Sequence, residues 1–99
     1  MTLRLEFLAE ARTEFDEAFN WYAERSAGAA IGFATEVDVA LESIAADPDR
    51  YVRTYANCRL CRIWRYPYCV IYHQDSDRLV VVAIAHAKRR PGYWRHRRP

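Results

Sequence analysis

Leu79-Val80-Val81-Val82-Ala83-Ile84-Ala85 is apolar at every position. Successive side chains of a strand point to opposite faces, so a run with no polar residue on either parity predicts a central strand covered on both sides. Upstream, Gln74-Asp75-Ser76-Asp77-Arg78 is a polar loop that joins this strand to another over Tyr68 to His73. A third strand is expected over Leu60 to Tyr66, because Tyr, Val, Ile and Trp dominate the sequence after residue 50. If Cys61 and Ile63 point inward, then Leu60, Arg62, Trp64 and Tyr66 take the opposite face.

Before residue 50 the pattern is helical. Ala30, Phe33, Ala34, Val37, Leu41 and Ile44 recur at i, i+3, i+4 and i+7, which predicts a helix reaching about Ala46. It must stop there, since Asp47 precedes Pro48 and is pushed out of the helical region, and Asp47-Pro48-Asp49-Arg50 suits a turn. A preceding helix over Glu10 to Arg25 follows from Ala11, Phe15, Ala18, Phe19 and Tyr22, with Glu10, Glu14 and Glu17 on another stripe. Ser26-Ala27-Gly28 breaks the pattern and can cap the next helix. Leu3, Leu5 and Phe7 alternate with Arg4 and Glu6, the period of a short half-buried strand. The order is β-α-α-β-β-β, so the fold class is α+β: a helical hairpin packed on a mainly antiparallel sheet, with the other sheet face partly open. Phe15, Phe19, Phe33, Val37 and Leu41 are the expected core of the hairpin.

The 99 residues make one domain, 1–99, and a hydrophobic share of 52% excludes a disordered segment. No apolar run approaches the ~20 residues of a membrane span. Met1-Thr2-Leu3-Arg4-Leu5-Glu6 is interrupted by charge, unlike a signal peptide, so a soluble, cytoplasmic chain is expected. The net charge of +2 hides an asymmetry: residues 1 to 50 carry −7 and residues 51 to 99 carry +9. Lys88 to Pro99 holds six cations and no acid, which suggests a surface for a polyanion. Cys58, Cys61 and Cys69 are an odd count for a disulfide scaffold and fit a reducing compartment. Cys58 and Cys61 form a C-x-x-C, but positions three apart on a strand face opposite ways, so they read as half-buried thiols and neither a metal nor a cofactor is expected.

Two regions carry candidate chemistry. Arg62 lies between aromatic neighbours, and the stretch from His86 to Arg97 interleaves cations with Tyr93 and Trp94, the mix that binds phosphates and stacks bases. An equal alternative is that Tyr93 and Trp94 pack the tail onto the sheet while its arginines are solvated. His86 reads first as a hydrogen-bonded structural residue and second as a general acid or base. The stripe of Glu10, Glu14 and Glu17 reads as a solvated helix face.

Ala18-Phe19-Asn20-Trp21-Tyr22, Ala40-Leu41-Glu42-Ser43-Ile44 closed by Asp47-Pro48, Arg65-Tyr66-Pro67-Tyr68-Cys69-Val70-Ile71-Tyr72, and Val82-Ala83-Ile84-Ala85-His86 followed by Arg89-Arg90-Pro91-Gly92-Tyr93-Trp94 together resemble the RelE/ParE superfamily of bacterial type II toxins. The resemblance runs along nearly the whole chain. It implies a growth-inhibiting, plasmid-stabilising toxin neutralised by a cognate antitoxin. RelE-like members are ribosome-dependent mRNA endoribonucleases, for which Arg62, His86, Arg89 and Tyr93 would be the matching catalytic residues. ParE-like members bind DNA gyrase, and then Arg62, Trp64, Arg65, Arg89, Arg90, Tyr93, Trp94 and Arg95 form the binding surface. Where RelE-like nucleases commonly carry Arg in the strand motif, this chain has Cys69, which cannot stabilise a phosphorane by charge. That departure and the Pro-Gly-Tyr-Trp string tilt the resemblance to the ParE side; a degenerate member that binds antitoxin without toxicity is the third alternative.

Overall fold

The apolar run is buried along its whole length inside a nine-residue strand. In the computed structural model, which describes residues 3–97, the chain forms β1 (Arg4–Phe7), α1 (Ala9–Ala23), α2 (Ala27–Ala46), β2 (Val52–Arg53), β3 (Arg59–Arg62), β4 (Tyr68–Asp75) and β5 (Arg78–His86). Arg98 and Pro99, the end of the basic tail, and Met1 and Thr2 at the start lie outside the described residues. The sheet order is β1-β5-β4-β3-β2, antiparallel except for the β1–β5 pair. The helical hairpin is therefore the crossover layer on one sheet face. No helix among the described residues is long and apolar enough to cross a membrane.

Local chemistry sets the helix limits. The Ser26 hydroxyl accepts the Ala29 N–H at 3.3 Å, capping α2 at the joint of the hairpin. At the far end Pro48 stops the helix, and the Arg50 N–H donates to the Asp47 carbonyl across a 3-10 turn.

Helices and sheet share a core in which Phe33, Val37 and Ile44 meet Val70, Tyr72, Val81 and Ile84. Phe15, Phe19 and Leu41 are half-buried at its margin. On the opposite sheet face Cys58, Ile71, Val82, Ala83 and Ala85 form a second apolar layer, and Trp94 covers it. The two layers explain why β5 carries no polar residue between Leu79 and Ala85. A register shift between Ile71 and Tyr72 leaves Val82 as an extra residue in β5, a bulge that puts Val82 and Ala83 together on the back face.

Several sequence expectations are corrected by this arrangement. The third strand ends at Arg62 rather than Tyr66, because the chain turns through Arg65 at φ +70°. The turn resets the alternation, so Tyr66 lies on the helix side. Its hydroxyl donates to the Ala29 carbonyl at 3.1 Å and its ring meets Tyr22 and Phe33 edge-on. A Cβ on Gly32 would sit 2.5 Å from that hydroxyl oxygen, so the close approach needs glycine there. The loop of the final hairpin shrinks to Ser76 and Asp77, and β2 is a strand that two residues of sequence could not announce. Leu5 is exposed on edge strand β1, whereas Phe7 and Leu3, just before the strand, reach the core. Cys58 sits in the back layer and Cys61 in the helix-side core, on opposite sheet faces.

Phe33 has no exposed surface and lies about 5.5 Å from the Phe15, Tyr22 and Tyr68 rings. Phe33→Ala is expected to cost about 3 to 5 kcal/mol, read as a lower urea midpoint; an unchanged midpoint would contradict the packing. Burial pushes Tyr72 up to about 12, and Tyr22, Tyr68 and Tyr93 are also raised from 10. Folded-state values above the unfolded one mean that this contribution is intact below pH 10 and is lost as pH climbs toward 12. The Tyr72 hydroxyl donates to the Pro48 carbonyl, so Tyr72→Phe should be weaker by about 1 kcal/mol at neutral pH. Its urea midpoint should nevertheless fall less steeply than the parent's above pH 10.

Candidate functional site

β5 ends at His86, and the chain then folds back across the sheet in a succession of turns. The Arg89 N–H donates to the His86 carbonyl, Tyr93 to Arg90, Arg95 to Gly92 and Arg97 to Trp94. Gly92 permits the reversal with φ +73°, and a Cβ there would lie 2.8 Å from the Tyr55 ring. The two demands, left-handed backbone and close approach, both require glycine. Trp94, 3% exposed, then drops into the back-face layer edge-on to Tyr55.

Between this folded tail and the ends of β3 and β4 lies a pocket of about 440 Å³. Six of the residues singled out in the sequence line it: Arg62, His86, Arg89, Arg90, Tyr93 and Trp94. Arg62 is brought there by β3, directly opposite Cys69 on β4. Burial raises the Cys69 thiol above its ordinary value, and the nearby Arg62 lowers it by less, so the position stays uncharged at neutral pH. Trp64 is placed elsewhere: 68% exposed, it lines a groove between α2 and β3 with Val39 and Val52. Arg65 lies 6.0 Å over the Trp64 ring, and Arg95 the same distance over Tyr55.

The candidate proton carriers are engaged by the fold. His86 Nδ1 accepts the backbone N–H of Lys88 at 3.0 Å, and its ring stands edge-on to Tyr68. Arg89 lies 3.9 Å over the Tyr93 ring. The Tyr93 hydroxyl donates to Glu14, and burial with that hydrogen bond drives the phenol far above its ordinary value. Among the described residues no three His, Cys, Asp or Glu side chains gather as a metal site.

Glu14 is the principal surprise. The helical stripe predicted a solvated carboxylate, yet Glu14 and Arg97 form a pair only 13% and 12% exposed. Both carboxylate oxygens face both terminal nitrogens of the guanidinium at 2.9 and 3.0 Å. Glu14 also accepts the Ile84 N–H at 3.1 Å, while Arg97 donates to the Val82 carbonyl at 3.0 Å. β1 pairs with β5 only as far as Val81, so these side chains serve backbone groups that lost a strand partner. The distance of 83 residues between Glu14 and Arg97 left no local signal for the contact. Tyr55, a wall of the pocket from the segment between β2 and β3, was likewise outside any periodic pattern.

The profile of a family described as "ParE toxin of type II toxin-antitoxin system, parDE" matches residues 5–91. A solved structure described as "Chromosomal ParDE TA system from P. aeruginosa" is similar in fold, with a TM-score of 0.71 at 11% identity, over 86% of this chain and 96% of that one. No curated protein matches.

Gly92→Ala is expected to destabilise the tail by about 1 to 3 kcal/mol through backbone strain alone. Trp94 fluorescence, read in a chain where Trp21 and Trp64 are Phe, should become accessible to acrylamide; quenching as low as in the unsubstituted Gly92 chain would refute the role of the turn.

Proposed function

The chain belongs to the ParE toxin family of type II toxin-antitoxin systems, and on that footing we propose that it stops growth by binding DNA gyrase in the cytoplasm, through the cations and rings at the end of the sheet. The observation that carries this reading is a pocket rich in charge and aromatic surface whose candidate proton carriers are committed to the fold. The Tyr93 hydroxyl is given to Glu14, His86 Nδ1 to the Lys88 backbone, and the Cys69 thiol stays neutral where a nuclease would hold a fixed cation. Such a surface is suited to recognition. Arg62, Arg89 and Arg90 supply charge in the pocket, Tyr93 and Trp94 its rings, and Arg95 with Trp64 and Arg65 extends the basic and aromatic surface around it.

The neutralising partner is a cognate antitoxin, a reading supported by the family and by the solved neighbour, itself part of a ParDE toxin-antitoxin system. Its acidic or amphipathic segment covers the basic tail, complementing the +9 second half of the chain. Binding of that kind weakens with salt, and Arg89→Glu with Arg90→Glu should weaken it further.

The test pairs two assays on the purified chain. Inhibition of gyrase supercoiling without cleavage of mRNA on translating ribosomes is the expected result. Robust ribosome-dependent cleavage that Arg89→Ala abolishes would replace this reading by the endoribonuclease one, with Arg62, His86, Arg89 and Tyr93 as its residues. No growth arrest on induction without antitoxin would place the chain among non-toxic antitoxin binders.

A further inference from the structure

The tail forms one wall of the pocket at the sheet end, and its docking rests on two principal anchors. Trp94 provides one by apolar burial. The other is Glu14, which projects from α1 and touches β5 and the tail together. Its Oε1 accepts from Ile84 and Arg97, and its Oε2 from Tyr93 and Arg97, so both oxygens are filled. An apolar residue at position 14 would leave the Ile84 N–H without an acceptor and the Arg97 guanidinium facing a backbone carbonyl alone.

We infer that Glu14 is the positioning residue of the pocket: it replaces the strand that β5 lacks beyond Val81, and through Tyr93 and Arg97 it fixes where Arg89, Arg90 and Trp94 stand. The inference rests on the reading of the tail as the toxin's contact surface. It assigns Glu14 no contact with a partner. The carboxylate acts at three points at once, as acceptor for a strand edge, as acceptor for a phenol and as counter-ion. A charge swap, Glu14→Arg with Arg97→Glu, therefore cannot restore it, because an arginine offers nothing to the Ile84 N–H.

The experiment compares trypsin cleavage between Lys88 and Arg97, growth arrest on induction, and gyrase inhibition, all on the full chain below its unfolding transition. Glu14→Ala is expected to speed tail cleavage by about tenfold or more, because cleavage follows the population of the undocked tail. Growth arrest and gyrase inhibition should weaken by a similar factor with the far-UV signal retained. Glu14→Gln, which keeps an acceptor but not the charge, should fall between, and the swapped pair should stay as impaired as Glu14→Ala. Val37→Ala is the control for stability alone: it should lower the urea midpoint while tail cleavage and growth arrest stay at parent values. If Glu14→Ala does not fold, Glu14→Gln and Arg97→Lys carry the comparison. Tail cleavage at the parent rate in the Glu14 variants, or full toxicity in a variant whose tail is freely cleaved, would overturn the positioning role. A parent that arrests growth without inhibiting gyrase overturns only the gyrase reading, since cleavage and growth arrest still decide on Glu14. A parent without toxicity overturns the toxin reading, and cleavage alone then decides the docking.

Discussion

The largely covered pair of Glu14 and Arg97 answers a constraint set by the sheet. β5 is nine residues long and β1 only four, so the upper half of β5 has a free edge in the interior of the fold. Buried backbone groups need partners, and here a carboxylate and a guanidinium supply them at Ile84 and Val82. The bulge at Val82 lies at the same place along the strand. The other ion pairs described each have at least one partner more than a third exposed, and exposed pairs contribute about 0 to 1 kcal/mol. Glu14 and Arg97 differ because removing either one leaves the other charge with little water.

From that contact the architecture on the back face follows. The helical hairpin covers one side of β5, while the other is covered by the chain's own tail through Trp94. Arg62 from β3 and His86 from β5 are joined by Arg89 because the tail is turned back across the strand ends. The acidic first half and basic second half of the chain meet there as well. One carboxylate of the acidic half is used to hold the basic half, while Lys88, Arg89, Arg90 and Arg95 are exposed, where the proposed partners would meet them.

The same geometry separates recognition from chemistry on the proposed reading. A tyrosine whose phenol is held against a carboxylate and a histidine whose Nδ1 accepts a hydrogen bond from a backbone N–H serve the fold first. Their neighbours are different. Arg62, Arg89 and Arg90 are exposed and make no ion pair among the described residues, which leaves their charge for an acidic surface.

The order of elements was legible in the sequence because burial imposes periods that a linear chain records. Leu79 to Ala85 announced a strand covered on both faces, the Phe33, Val37 and Ile44 stripe announced α2, and Ser26 and Pro48 marked its limits through capping and the missing N–H of proline. The likeness of four strings to a toxin superfamily pointed to the family that residues 5–91 match. Tertiary structure alone decided what spacing cannot encode. A left-handed residue at Arg65 turned Tyr66 to the helix side, and a two-residue β2 added the edge strand beyond β3. The stripe of Glu10, Glu14 and Glu17 repeats with the helix, so periodicity treats its members alike. Only a strand edge left unpaired by the shortness of β1, and an arginine 83 residues away, made Glu14 the one drawn in from solvent.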